Sequence, residues 1–273
     1  MSATKKFLDV YINSSIHVAV AVVSLVTITN LHFNLTTDKS LLIFVFFGTI
    51  TGYNFVKFSG VVKLYHRNLA KSLKIIRFVS LFSLLGLLIT LFLVPLKVLL
   101  WSAGFGLLTL LYALPVFGRQ KNLRSVSGLK IFIIAIVWAG VTVVLPITSN
   151  QNVIFETIGL EFSQRFFLVL VWILPFEIRD LKYDLQQLGT IPQRVGVTAT
   201  KIIGLVILLA VVVLEILKNY STLESILAVI LTAIVTAVMV WKSNEDQSRY
   251  FTALWVEGIP VLWLMFLLLL RSL

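Results

Sequence analysis

Nine nearly uninterrupted apolar runs divide this chain, and no other feature limits its folding as severely. They lie at Ile16 to Leu31, Leu41 to Phe58, Phe78 to Val94, Val98 to Phe117, Ile131 to Ile147, Phe166 to Phe176, Ile202 to Leu217, Leu223 to Trp241 and Tyr250 to Leu270. A helix needs about 20 apolar residues to cross a hydrocarbon core of about 30 Å, and most of the runs approach that length. The sixth is short and has to borrow polar residues at one or both ends. Inside lipid every backbone polar group must be satisfied within the protein, so the runs predict an all-α integral membrane protein with nine transmembrane helices. Hydrophobic residues make up 59% of the 273 positions and charged residues 13%, a balance that no soluble domain keeps in water.

Lys5 and Lys6 precede the first run as they would in a signal peptide, but no small-x-small cleavage pattern follows and eight further runs do. With no internal repeat and no low-complexity linker, residues 1–273 are expected to form a single transmembrane domain. The absence of cysteine excludes disulfides, thiolate metal sites and cysteine nucleophiles. The formal charge of +11 comes from basic residues scattered between apolar runs, which fits a lipid bilayer and not a nucleic acid.

Their distribution orients the chain. In the nine-span arrangement, 18 of the 23 Lys and Arg residues fall on one side, leaving Lys39, Lys97, Arg165, Lys218 and Arg271 on the other. Positive residues stay inside, so the N-terminus is expected in the cytoplasm and the C-terminus outside, as in a bacterial-type cytoplasmic membrane. One missed or invented span would scramble this alternation. The connections after runs two, four and six are long and share the inner face, which points to one common site.

The segment after the sixth run reads Pro175-Phe-Glu-Ile-Arg-Asp-Leu-Lys-Tyr-Asp184, followed by Gly189-Thr-Ile-Pro192 and Gly196. If the helix persists, Glu177, Asp180 and Asp184 stand at i, i+3 and i+7 and stack along one face. Such a stack makes sense where a hard cation such as Mg²⁺ is held by carboxylates and in turn holds phosphate oxygens. Pairing with Arg179, Lys182 and Arg194 at a wet interface fits the same spacing. Gly189 and Pro192 are expected to stop the helix and turn the chain.

These residues resemble the UbiA superfamily of intramembrane prenyltransferases, whose members form nine-helix bundles. Asp180, Asp184, Gly189, Thr190-Ile191-Pro192 and Gly196 are similar to the family's second aspartate motif, and Tyr112-Ala-Leu-Pro115 with Arg119 and Lys121 to its Tyr-Ser-x-Pro segment. The resemblance implies a UbiA-like bundle with a cytoplasmic-side cavity, and transfer of a prenyl group from a prenyl diphosphate to an aromatic or other lipophilic acceptor. It implies Mg²⁺ on Asp180 and Asp184, with Glu177, Tyr112, Arg119, Lys121 and Tyr183 near the substrates. The departure lies after run two. There the family carries Asn-Asp-x-x-Asp-x-x-x-Asp, and this chain keeps only Asn54, with Lys57, Lys63 and Arg67 standing where carboxylates and their metal would be. A fixed cation neutralises diphosphate directly, so Lys57 is a candidate catalytic group, and Asn54, Lys63 and Arg67 are candidate substrate contacts. The same cations also suit lipid headgroups.

Two other readings stand beside transfer. A non-catalytic relative that binds isoprenoid lipid or assists a membrane enzyme is favoured by the missing first motif. A transporter would be expected to show paired half-sequences or helices broken at the midplane, and no such pairing is visible. Of the remaining polar residues in spans, Asn13 and His17 fit an interhelical hydrogen bond or a cavity. Glu257 is expected to face protein or water and not lipid. Trp172, Trp255 and Trp263 suit either packing or the wall of a prenyl tunnel.

Overall fold

The computed structural model describes residues 3–58, 73–115, 122–150, 155–183 and 188–273. Lys63, Arg67, Arg119, Lys121 and Asp184 lie outside them. Eleven α-helices follow one another: α1 Ala3–Asn13, α2 Ile16–His32, α3 Lys39–Phe58, α4 Leu73–Thr90, α5 Leu96–Ala113, α6 Lys130–Ala139, α7 Leu145–Ser149, α8 Phe155–Asp180, α9 Ile191–Leu217, α10 Leu223–Lys242 and α11 Ile259–Arg271. There is no strand among the described residues. The described part of each of the nine apolar runs overlaps a helix. Seven described helices are long and apolar enough to cross a membrane, and the α1–α2 pair, bent by 58°, is an eighth. The protein is therefore a multi-pass integral membrane protein.

Neighbours along the chain pack as antiparallel pairs, α2 on α3, α3 on α4, α8 on α9, α9 on α10 and α10 on α11, and α11 returns to α2. The buried core runs between α2, α8 and α11 through Leu25, Ile28, Leu168, Val171, Ile259 and Trp263. Large apolar side chains such as Phe82, Leu209, Ile216 and Met265 face outward, as lipid contact requires.

Besides a break at Gly196 within α9, where φ is 81°, three departures from regular helix shape this bundle. At the α1–α2 bend, Ser15 adopts a left-handed conformation with φ of 64°. Ser14 Oγ donates back to the Val10 carbonyl (2.6 Å), a local bond that competes with the helical ladder. Asn54 of α3 locks the bend from outside: its Oδ1 accepts from Ser15 Oγ (2.8 Å) and its Nδ2 donates to the Ser14 carbonyl (3.2 Å) and to Ser80 Oγ of α4 (2.8 Å). Asn54→Ala is expected to leave these groups unsatisfied and cost about 1–3 kcal/mol, measurable as a lower thermal midpoint in detergent.

Between α6 and α7 the helix widens into a π turn, Gly140–Val144, and Thr29 Oγ1 donates to the Thr142 carbonyl exposed by it (2.8 Å). Gly140 makes room there for the Phe105 ring, which a Cβ would meet at 2.1 Å and force to shift. A second π turn, Phe251–Val256, precedes α11.

The short sixth run borrows polar residues at both ends, as expected. Helix α8 spans 26 residues, with Pro175 inside it. It buries Glu161, Gln164 and Arg165 completely near one end and carries Glu177 and Asp180 in its last turn. The helix ends at Asp180, where the Tyr183 amide closes a turn on the Asp180 carbonyl (2.9 Å). The expected carboxylate stack therefore does not continue beyond Asp180 along α8. Pro192 does not stop a helix either; it sits in the first turn of α9, where its missing N–H costs nothing.

Three of the five cations assigned to the sparse side have a spatial counterpart. Arg165, Lys218 and Arg271 all reach the same end of α2, through Leu25, the Glu161–His32 pair and the Leu31 carbonyl.

Candidate active site at one end of the bundle

At the opposite end from that cluster lies a cavity of about 200 Å³. Its wall is graded. Trp138 of α6, Val169, Trp172, Ile173 and Phe176 of α8, and Val256 and Pro260 beside α11 supply an apolar part. Arg124, Lys130, Glu177, Asp180 and Glu257 supply a charged part, with Tyr53 of α3 and Tyr112 at the end of α5 between. Tyr53 of run two, Tyr112 of run four and Glu177 and Asp180 at the end of α8 thus line one cavity, while the connection after run two lies outside the described residues.

Helix phase explains the grading. Trp172, Phe176 and Asp180 follow one another at i, i+4 and i+8 on α8, so one face passes from apolar to charged as it leaves the bundle. Trp138 Nε1 donates to the Tyr53 hydroxyl (2.8 Å), fixing two aromatic walls against each other. Trp172 Nε1 donates to Thr236 Oγ1 (3.1 Å), which satisfies the indole outside the cavity.

The charges are arranged as pairs. Lys130 Nζ stands 2.7 Å from Glu177 Oε1, joining α6 to α8. Arg179 Nε donates to Asp180 Oδ1 (2.8 Å), while its NH1 donates to Thr252 Oγ1 (2.6 Å) in the second π turn. The guanidinium also lies over the Phe176 ring, 5.2 Å from its centroid and within the about 6 Å of a cation–π contact. The connections flanking this end are tied together. Gly128 donates to the Leu188 carbonyl (3.0 Å), and Arg194 donates to Ser127 Oγ (2.8 Å). Gly128 and Gly189 take positive φ values of 73° and 53°, which L side chains rarely adopt.

Of the residues singled out from the sequence, Asp180, Glu177 and Tyr112 line the cavity. Tyr183 follows the end of α8 and is 58% exposed. Asn54 is buried in the bonds described above. Lys57 is not part of the cavity wall among the described residues: its ammonium donates to Ser15 Oγ (2.8 Å) and the Asn13 carbonyl (3.4 Å). His17 makes the interhelical bond expected of it, from Nε2 to the Leu254 carbonyl (2.9 Å). Among the three tryptophans, Trp172 lines the cavity, Trp255 faces outward, and Trp263 is buried beneath Arg165 at the other end.

Arg124 and Lys130 carried no motif and entered the sequence reading only as inner-side charges. Their role is visible only once α6 lies against α8. Among the described residues, no three His, Asp or Glu side chains gather closely enough to hold a metal ion. Asp180 is the carboxylate of the implied Mg²⁺ pair that borders the cavity, and Mg²⁺ characteristically uses one or two carboxylates together with substrate phosphates. The described donors therefore fit a metal shared with a phosphate better than a closed protein cage.

Fold and site together define a multi-pass helical membrane protein with a graded cavity at one end of its bundle. Two solved structures share this fold. A UbiA homologue from Aeropyrum pernix K1 matches 94% of this chain and 99% of its own with a TM-score of 0.70, at 15% identity. A digeranylgeranylglyceryl phosphate synthase in membranes matches all of both chains with a TM-score of 0.58, also at 15% identity. No protein-family model matches the sequence, and no curated protein matches it. The UbiA resemblance read from the aspartate motif is thus borne out in the fold.

Proposed function

We propose that this protein is a membrane prenyltransferase of the UbiA type, moving a prenyl group from a prenyl diphosphate to a lipophilic acceptor. The observation that carries the reading is the graded cavity. An isoprenoid diphosphate is itself graded, with an apolar branched chain and a highly charged head. Trp138, Trp172 and Phe176 suit the chain, and Arg124 and Lys130 suit the head, with Arg179 paired to Asp180 beside them. Both structures of similar fold support it.

The chemistry asked of such a site is electrostatic. As the C–O bond to diphosphate breaks, negative charge builds on the leaving group, and donors already in place in a water-poor site lower the barrier. Arg124 and Lys130 hold that charge. Aromatic faces of Trp138, Trp172 and Phe176 border the region where an allylic cation develops, and they shield it from water. Asp180, with Asp184, would hold Mg²⁺, which when bound neutralises the diphosphate further. Lys63 and Arg67, which lie outside the described residues, are proposed to supply further cations in place of a second metal, whereas Lys57 is held at the α1–α2 bend.

A second reading, an isoprenoid-binding protein without turnover, is favoured by one specific observation. Glu177 and Asp180 are already engaged by Lys130 and Arg179. A reconstituted assay separates the two. Proteoliposomes given labelled farnesyl diphosphate and a panel of aromatic acceptors, with and without Mg²⁺, are expected to form prenylated product. Retained diphosphate binding with no product from any acceptor would establish the second reading.

A further inference from the structure

Glu257 stands apart from the other charges of the cavity. Glu177 and Asp180 each have a basic partner, whereas the Glu257 carboxylate has no hydrogen bond and no ion pair among the described residues. The charges that act on it from a distance are those of Lys57 and Arg179. An ionisable side chain left without a direct partner inside a membrane protein is costly and is retained where it meets a ligand or water.

The backbone is built to present it. The π turn Phe251–Val256 ends at Glu257, whose amide donates to the Thr252 carbonyl (3.0 Å) in place of a regular helical bond. Gly258 follows, and a Cβ there would strike the Leu254 carbonyl oxygen at 2.7 Å. That carbonyl is held from the other side by His17, and Pro260 prevents the ladder from resuming at once. Single-turn π segments of this kind concentrate at functional sites. The break turns Val256, Glu257 and Pro260 together into the cavity, with Tyr53 beside them.

We infer that Glu257 is the acceptor-side carboxylate, receiving a hydrogen bond from the hydroxyl of an alcohol or phenol acceptor and taking its proton during transfer. The inference rests on the prenyltransferase reading for the reaction, but not for the binding. In the step itself, the bond from the allylic carbon to diphosphate oxygen breaks and the electron pair leaves with diphosphate. The acceptor oxygen bonds to that carbon, and its proton passes to Glu257. The products are prenyl ether, diphosphate and one proton, so nothing else is consumed. The cationic groups around Glu177 and Asp180 thereby serve the leaving group, and Glu257 serves the nucleophile.

The test compares 4-nonylphenol with its methyl ether, 4-nonylanisole, as ligands of the full-length protein in proteoliposomes. Wild type is expected to bind the phenol at least about tenfold more tightly, as a hydrogen bond to a charged group provides. Glu257→Gln is expected to shrink that preference below about threefold, and Glu257→Asp to restore part of it. In the transfer assay with farnesyl diphosphate, Glu257→Gln is expected to lower kcat by about 10²–10⁴ while diphosphate binding stays within about twofold. Equal binding of phenol and ether by wild type would overturn the inference, and that arm needs no variant to fold. So would a Glu257→Gln protein with unchanged preference and unchanged kcat. If wild type transfers to no acceptor yet its phenol preference depends on Glu257, the prenyltransferase reading fails and the hydroxyl subsite stands.

Discussion

Asp180→Asn is expected to lower prenyl transfer by at least about 10²-fold, the loss typical when a charge that organises a leaving group is removed from a preorganised site. The substitution keeps the size of the side chain and removes its charge. Arg179 keeps its contacts with Thr252 and Phe176 but loses the negative charge its Nε pairs with, and a carboxylate for the proposed metal disappears. The corresponding binding experiment uses labelled farnesyl diphosphate with and without Mg²⁺, and the Mg²⁺-dependent part of binding is expected to vanish in Asp180→Asn and in Asp184→Asn. Asp246→Asn, which breaks the exposed pair with Lys182, is the matching control and should leave both measurements unchanged. Equal binding and equal turnover in Asp180→Asn would remove Asp180 from the site.

The second large effect lies at the other end of the bundle. Lys218, just beyond α9, has its ammonium 2.6 Å from Glu161, 2.7 Å from Glu215 and 2.6 Å from Gln164, all fully buried or nearly so. Glu161 also receives Arg165 at 2.9 Å and His32 at 3.3 Å. Two carboxylates and two permanent cations thus cancel inside the protein. Tyr220 adds a hydroxyl 3.4 Å from Glu161. Burial and the two neighbouring carboxylates push that hydroxyl above its ordinary pKa, so it remains a proton donor to Glu161. Lys218→Met removes one cation and leaves both carboxylates under-compensated, which is expected to cost about 3–5 kcal/mol. Thermal unfolding in detergent measures it. The double variant Glu161→Gln with Lys218→Met should lose less than the two single losses added, because partners in one network are coupled. A Lys218→Met midpoint matching wild type would mean that these charges are solvated and not buried.

Much of this architecture was legible from side-chain type alone. Apolar runs long enough for lipid have few alternatives to helix, so the order of α2 to α11 followed from hydropathy, and the sixth run announced its polar ends through its shortness. The carboxylates at 177 and 180 were legible because helical spacing placed them on one face. What escaped were features set by contacts between distant segments. The Lys130–Glu177 pair joins helices 47 positions apart, and neither residue signals the other. The end of α8 at Asp180 was hidden because a helical pattern does not record where the next connection will pull the chain away. Pro192 misled, because a proline that can end one helix can equally begin the next, and here it sits in the first turn of α9. The π turn before Glu257 was equally silent, since it depends on His17 reaching the Leu254 carbonyl from the far end of the sequence.

The most direct measurement counts products. Wild type and Asp180→Asn in proteoliposomes receive labelled farnesyl diphosphate and an aromatic acceptor, and prenylated product and released diphosphate are quantified together. Wild type is expected to yield the two in equal amounts, with Asp180→Asn at least about 10²-fold slower. Diphosphate bound by wild type but never released, with no prenylated product from any acceptor, would contradict prenyl transfer as the function of this protein.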